Sequence, residues 1–153
     1  MDYLLDTNIL LVYVRADQVA RAIEKDLKLM TGNHNLTTSI VSVGEIKSIA
    51  IKNKWGNRKI KRLEDLLENF LVADINVEEI VDRYAEVDAY SQGKLPGEKV
   101  DFSSRNMGKN DLWIAATGSV LKMVLITTDG DFDHLGGKYL KIKKLNLKNY
   151  LKK

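Results

Sequence analysis

The sequence predicts an α/β fold with a central parallel sheet covered by helices on both faces. Three observations carry that expectation. Short apolar runs alternate along the chain with segments whose apolar residues recur at helical spacing. The strongest of these runs, Tyr3–Leu5 and Met123–Ile126, are apolar throughout rather than alternating with polar residues, as in strands buried on both faces. No low-complexity tract, internal repeat or Pro/Gly linker interrupts the alternation. Residues 1–153 therefore read as one domain, with 138–153 a basic C-terminal strand and tail.

Taken in order, Tyr3-Leu4-Leu5 is a buried strand that stops at Asp6-Thr7-Asn8 and feeds a helix. Asp17 is suited to cap a second helix, in which Val19, Ile23, Leu27 and Met30 share one face. Asn35-Leu36-Thr37-Thr38 is the next strand, and Ser39 can cap the helix that starts at Ile40. Helical character resumes from Arg58 to Asn69, and Phe70-Leu71-Val72-Ala73 reads as a strand. Asn76 with Glu78 and Glu79 marks another helix start, because carboxylates suit a first turn. Val77, Ile80, Val81, Tyr84 and Val87 form its apolar stripe. Asn110 is placed to cap the markedly apolar helix Leu112 to Leu121. Met123-Val124-Leu125-Ile126 is the strongest strand, ending at Thr127-Thr128-Asp129, and Leu140-Lys141-Ile142 is a weaker last one. The long stretch between Ser91 and Lys109 holds the only proline, Pro96, and delivers Arg105 and Lys109 just before Asp111. Loops of that length in compact domains tend to be functional or mobile, so this one is expected to border the site.

At 153 residues and 44% hydrophobic composition, the chain can bury a core without staples. It has no cysteine, which excludes disulfides, zinc–thiolate sites, iron–sulfur clusters and thiol nucleophiles. His34 and His134 are the only histidines, and both read as surface residues rather than ligands. A metal here must be held mainly by oxygen. The opening residues carry acids where a signal peptide needs basic ones, and the run Ile9–Val14 is far shorter than the roughly 20 residues of a membrane span. A cytoplasmic protein with no membrane association is expected.

A net charge of +3 conceals an asymmetry. Lys47, Lys52, Lys54, Arg58, Lys59, Lys61 and Arg62 crowd one acid-free segment, and the lysines from Lys138 to Lys153 crowd another. With both set aside, the rest of the chain is strongly acidic. Such segments suit a polyanion partner, or else form a solvated helix face and a frayed tail.

The acids sit where strands end. Asp6, Asp111 and Asp129 each have an ordinary explanation as a cap, a first-turn anion or a turn residue. Glu45 does not, because it lies in an apolar helical stripe with Val41 and Ile49 one turn to either side. A carboxylate there is costly unless it is paired or metal-bound. Asp6, Glu45, Asp111 and Asp129 would meet at the carboxyl edge of the sheet, where ligands of such folds bind. Clustered like charges are relieved by cations, and oxygen-only donors suit Mg²⁺ or Mn²⁺. Ions of that kind can activate water and stabilise a leaving oxygen in phosphodiester cleavage.

Leu5-Asp6-Thr7-Asn8, Ser42-Val43-Gly44-Glu45, Asn110-Asp111-Leu112-Trp113-Ile114-Ala115-Ala116 and Thr127-Thr128-Asp129-Gly130-Asp131-Phe132 closely resemble, in order, the motifs of PIN domains, in particular VapC-type toxins. The resemblance implies a three-layer α/β/α domain with a central parallel sheet and metal-dependent endoribonuclease activity on RNA. It implies that Asp6, Glu45, Asp111 and Asp129 form the catalytic and metal-binding set, with Asp131 a possible fifth ligand. Thr7 and Thr127 would orient carboxylates or water, and Asn8 and Asn110 would cap helices or support the ligands. Trp113 is assigned to the core, as are Tyr13, Tyr84 and Phe132. Lys47, Lys52, Lys54, Arg58, Arg105 and Lys109 are candidate nucleic-acid contacts. A small cognate antitoxin and a homodimer are also implied. Two other functions fit the scaffold. One is a non-catalytic nucleic-acid or protein-binding module. The other is a phosphatase of haloacid-dehalogenase type, disfavoured because that chemistry needs an acid where Asn8 stands.

Overall fold

The computed structural model describes residues 1–151. The first strand, β1 (Asp2–Leu5), leads into the helices α1 (Thr7–Arg15) and α2 (Gln18–Leu27). Strand β2 (Asn35–Ser39) precedes α3 (Ile40–Lys52) and α4 (Asn57–Leu67), and β3 (Leu71–Ala73) precedes α5 (Glu78–Ser91) and α6 (Lys109–Leu121). Strand β4 (Val124–Thr127) runs into a 3₁₀ turn over Gly130–Leu135, and β5 (Lys141–Lys144) is followed by the short α7 (Lys148–Leu151). All pairings are parallel, in the order β3-β2-β1-β4-β5. The three-layer α/β/α arrangement expected from the sequence is present.

Side chains of a strand alternate between faces, and both faces here are apolar. Leu5 and Ile126 enter one core with Ile9, Leu10 and Leu63 from the helices. Leu4 and Leu125 enter the other, with Val87, Leu112, Ile114 and Phe132. Leu4, Leu5, Leu125 and Ile126 are wholly buried, which is why these strands read as unbroken apolar runs. Gly118 lets α6 lie close on the sheet, since a Cβ there would come within 2.9 Å of Leu140 Cδ2 and 3.3 Å of Leu4 Cδ2.

The caps at Asp17 and Ser39 form as expected, accepting hydrogen bonds from the backbone N–H groups of Ala20 and Val41. Asn110 is not a cap. Helix α6 begins at Lys109 with Gly108 in the cap position, so Asn110 lies exposed in the first turn. The stripe assigned to α5 is narrower than expected, because Val77 and Val81 are exposed while Ile80 and Val87 are buried. Phe132 is wholly buried, whereas Tyr13, Tyr84 and Trp113 are only partly so. The stretch 92–108 is irregular but anchored. The Arg105 N–H donates to Ser91 O at 2.8 Å, Met107 is buried, and Phe102 packs edge-on to Tyr90. Among the described residues, no helix is long and apolar enough to cross a membrane. Of the tail lysines, Lys152 and Lys153 lie outside the described residues.

Candidate metal centre

The sheet order places the chain's reversal between β1 and β4, whose helical connections leave in different directions. Ligand crevices of parallel sheets form beyond the carboxyl ends of strands at such a point. Asp6 follows β1 there, and its backbone N–H donates to Ile126 O of β4 at 3.0 Å. The residue is 4% exposed. One oxygen accepts from the Thr7 backbone N–H at 2.7 Å, capping α1, and the other accepts from Thr127 Oγ1 at 2.6 Å. The ordinary role and the suspected one thus fall to the same carboxylate.

Thr127 ends β4 wholly buried and works twice: its hydroxyl donates to Asp6 and accepts from the Asp129 N–H at 3.0 Å. Asp129 caps the 3₁₀ turn by accepting from the Asp131 N–H at 2.9 Å. Asn8 Oδ1 accepts from the Thr128 N–H at 3.4 Å, tying the start of α1 to the same turn. Thr7 Oγ1 donates to Glu45 Oε1 at 3.0 Å, linking α1 to α3. Asp111 approaches from the first turn of α6. Carboxylate oxygens of Asp111, Asp129 and Asp131 all lie within 4.8 Å of one another.

The five acids feel each other. Burial pushes the Asp6 carboxyl above the usual range; the Thr127 and Thr7 hydrogen bonds pull it down, and the charges of Glu45 and Asp129 raise it again. Asp111 is pushed up to about 7, by burial first and then by Asp6, Asp129, Asp131 and Glu45. A group of acids held so close, with Asp111 reluctant to ionise, is the environment that a divalent cation relieves. The donors are all oxygen, which fits Mg²⁺ or Mn²⁺.

Neither histidine is a plain surface residue. His34 is half-buried edge-on to Tyr3, with 5.0 Å between ring centres. His134 Nε2 lies 2.7 Å from Ser91 Oγ, and burial together with the Arg105 charge lowers its pKa. The basic candidates do not converge. Lys52 shares a hollow with Glu45 and Asn110, while Lys47 lines a separate groove between α3 and α4. Lys54 and Arg58 are exposed at the turn into α4, Arg105 is exposed on the 92–108 stretch, and Lys109 opens α6 two residues before Asp111. Trp113 lies against Tyr84, with ring centres 4.2 Å apart, and helps line the hollow that holds Glu45. Its placement next to the acids was not legible from an apolar helix alone.

Fold and site together define an α/β domain with an oxygen-rich acidic centre at the switch point of a parallel sheet. The chain belongs to the PIN domain family, whose model matches residues 3–138. Among solved structures it is similar to VapBC2 from Rickettsia felis bound to a promoter DNA fragment, at 20% identity and a TM-score of 0.77 over 95% of this chain and 100% of that one. It is also similar to VapBC-1 from nontypeable Haemophilus influenzae, at 26% identity and a TM-score of 0.69, covering 94% of this chain and 98% of the other. A third likeness is to VapBC-5, a member of the VapBC toxin–antitoxin systems from Mycobacterium tuberculosis, at 19% identity and a TM-score of 0.62 over 94% and 98%. No match is found among curated proteins.

Proposed function

We propose that this chain, acting as one domain, is a Mg²⁺- or Mn²⁺-dependent endoribonuclease and the toxin of a toxin–antitoxin pair. The convergence of Asp6, Glu45, Asp111, Asp129 and Asp131 at the switch point carries the reading. Asp111, Asp129 and Asp131 would hold the cation directly, with Asp6 and Glu45 completing the acidic set. When bound, the ion supplies a Lewis acid that activates water and stabilises the leaving oxygen of a phosphodiester.

The chain's own residues prepare that site. The Thr127 hydroxyl fixes Asp6 and the turn bearing Asp129 together, and Thr7 fixes Glu45. Burial and the neighbouring carboxylates favour the protonated form of Asp111, so proton and metal would compete for the same oxygens. The relatives support a small antitoxin protein as partner, since the similar structures are of VapBC systems, and a homodimer is part of the same reading.

Purified protein incubated with a mixed structured RNA tests the reading. Cleavage is expected with Mg²⁺ or Mn²⁺, should stop on adding EDTA, and should return when excess ion is restored. Cleavage undiminished by EDTA would overturn it. Thr127→Val keeps the side chain's shape but removes a donor from Asp6 and an acceptor from the Asp129 N–H. Supporting partners of this kind are worth about 10- to 100-fold in activity. Initial rates should fall within that range, with the melting temperature reporting the fold separately.

A further inference from the structure

A hollow of about 580 Å³ opens beside the acidic centre, where α3 faces α6. Glu45, Ser48 and Lys52 come from one stripe of α3, and Asn110 and Trp113 lie one turn apart on α6. Glu45 is the shared wall: it accepts from Thr7 on the acid side and lines the hollow on the other. The hollow also contains Gly44, in the middle of α3. Glycine inside a helix is destabilising relative to alanine. Neither usual reason for one applies, because Gly44 has no positive φ and a Cβ there would meet nothing within 4 Å. Its effect is to leave that space open.

We infer that this hollow is the subsite for the base of an unpaired nucleotide next to the cleaved phosphate, with Trp113 as its stacking surface and Gly44 as the gap that admits the ring. This rests on the nuclease reading above. The chemistry of the lining matches a nucleotide. An indole and the apolar side chains of Val41 and Ile75 offer a face for a planar base, Asn110 and Ser48 offer donors and acceptors for its edge, and Lys52 offers a cation for phosphate. Tyr84 backs the indole, so the ring is held rather than swinging free. Continuity with the acids through Glu45 puts a base bound here beside the centre that would take its phosphate. Trp113 and Gly44 are therefore base-binding residues, which admit an unpaired base whatever its identity.

The test is binding in EDTA, where no turnover complicates it. The chain has two tryptophans, so Trp55→Phe leaves Trp113 as the only reporter. Five-nucleotide RNAs, labelled for anisotropy and carrying an abasic nucleotide at each position in turn, serve as probes. Bound RNA is expected to quench Trp113 fluorescence, and an abasic nucleotide at one position should remove the quench. Trp113→Ala should weaken binding of the intact RNA about tenfold, the usual worth of one stacked base, and leave binding of that abasic RNA unchanged. Gly44→Leu should abolish the quench without lowering the melting temperature, which keeps the test valid if Trp113→Ala folds poorly. No RNA binding, binding without a quench, or equal losses on intact and abasic RNA in both variants would overturn the inference. Metal-dependent cleavage by the same protein is measured separately. Cleavage without a quench sinks only the subsite, and a quench without cleavage sinks the nuclease reading and leaves a base-binding site with no cleaved phosphate beside it.

Discussion

Asp111→Asn will reduce metal-dependent RNA cleavage by about 100-fold or more if Asp111 is the direct ligand proposed above, since that loss should exceed the loss of a supporting partner. The same change will make the metal-free protein more stable at neutral pH. Asp111 crowds against Asp6, Asp129, Asp131 and Glu45, and its carboxyl is pushed from an ordinary 3.8 up to about 7. Below about pH 4 the group is protonated folded and unfolded alike, so it costs nothing. As pH rises through that window, the unfolded chain releases the proton and the folded one resists, so stability falls until about pH 7 and is level above it. Asparagine removes the penalty. The gain should be about 2 kcal/mol at pH 8, allowing for screening of a part-exposed site, and absent at pH 4. Thermal denaturation of EDTA-treated wild type and variant at both pH values checks it. A variant that loses cleavage but gains nothing at pH 8 would remove Asp111 from the crowded cluster. One that gains stability and keeps full cleavage would show that the cluster is not the catalytic centre.

Phe132→Ala will have the largest effect on stability, about 3–5 kcal/mol, through the lost burial of a large ring and the cavity left behind. Phe132 is wholly buried among Leu135, Leu140 and Leu125, and it sits between Asp131 and Asp133 on the 3₁₀ turn. That ring pins the turn carrying two of the five acids. Cleavage should therefore fall even at temperatures where the variant remains folded, and added Mg²⁺ should recover part of it by favouring the native turn. Urea denaturation read alongside initial rates separates the two effects. A variant that loses stability with unchanged rates would mean that the turn keeps its acids without the ring.

The two central strands, β1 and β4, were legible because burial on both faces writes them as unbroken apolar runs, and Asp6 and Asp129 were legible because they stand where those runs stop. Glu45 declared itself as a charge in an apolar stripe, and the structure gives it the Thr7 hydroxyl as partner. What sequence could not supply was pairing across distance. Thr127 meets Asp6 from 121 positions away, and no spacing rule encodes that contact. Asn110 was misread as a cap because a good capping residue two positions inside a helix looks the same in sequence as one at its edge. Val77 and Val81 share the spacing of a core stripe, but Ile80, Tyr84 and Val87 are the members that pack inward. Trp113 was assigned inward from its apolar neighbours, when its ring borders the hollow beside Glu45. The signal that could have located that hollow was Gly44, a glycine in a helix with no turn to make.

The two margins of the sheet are finished differently. At one, β3 is only three residues long and presents Leu71 and Val72 to solvent. At the other, β5 reads Lys-Ile-Lys-Lys, with all three lysines exposed and Lys144 held to Asp133 at 2.6 Å. An open strand margin is a template on which another chain can extend the sheet, and brevity or lysine is what discourages it. Part of the positive charge near the C-terminus therefore stands where edge strands commonly carry lysine to discourage edge-to-edge pairing, independently of any RNA. Replacing those lysines to weaken nucleic-acid binding would also uncover that margin, and loss of solubility would then imitate loss of function.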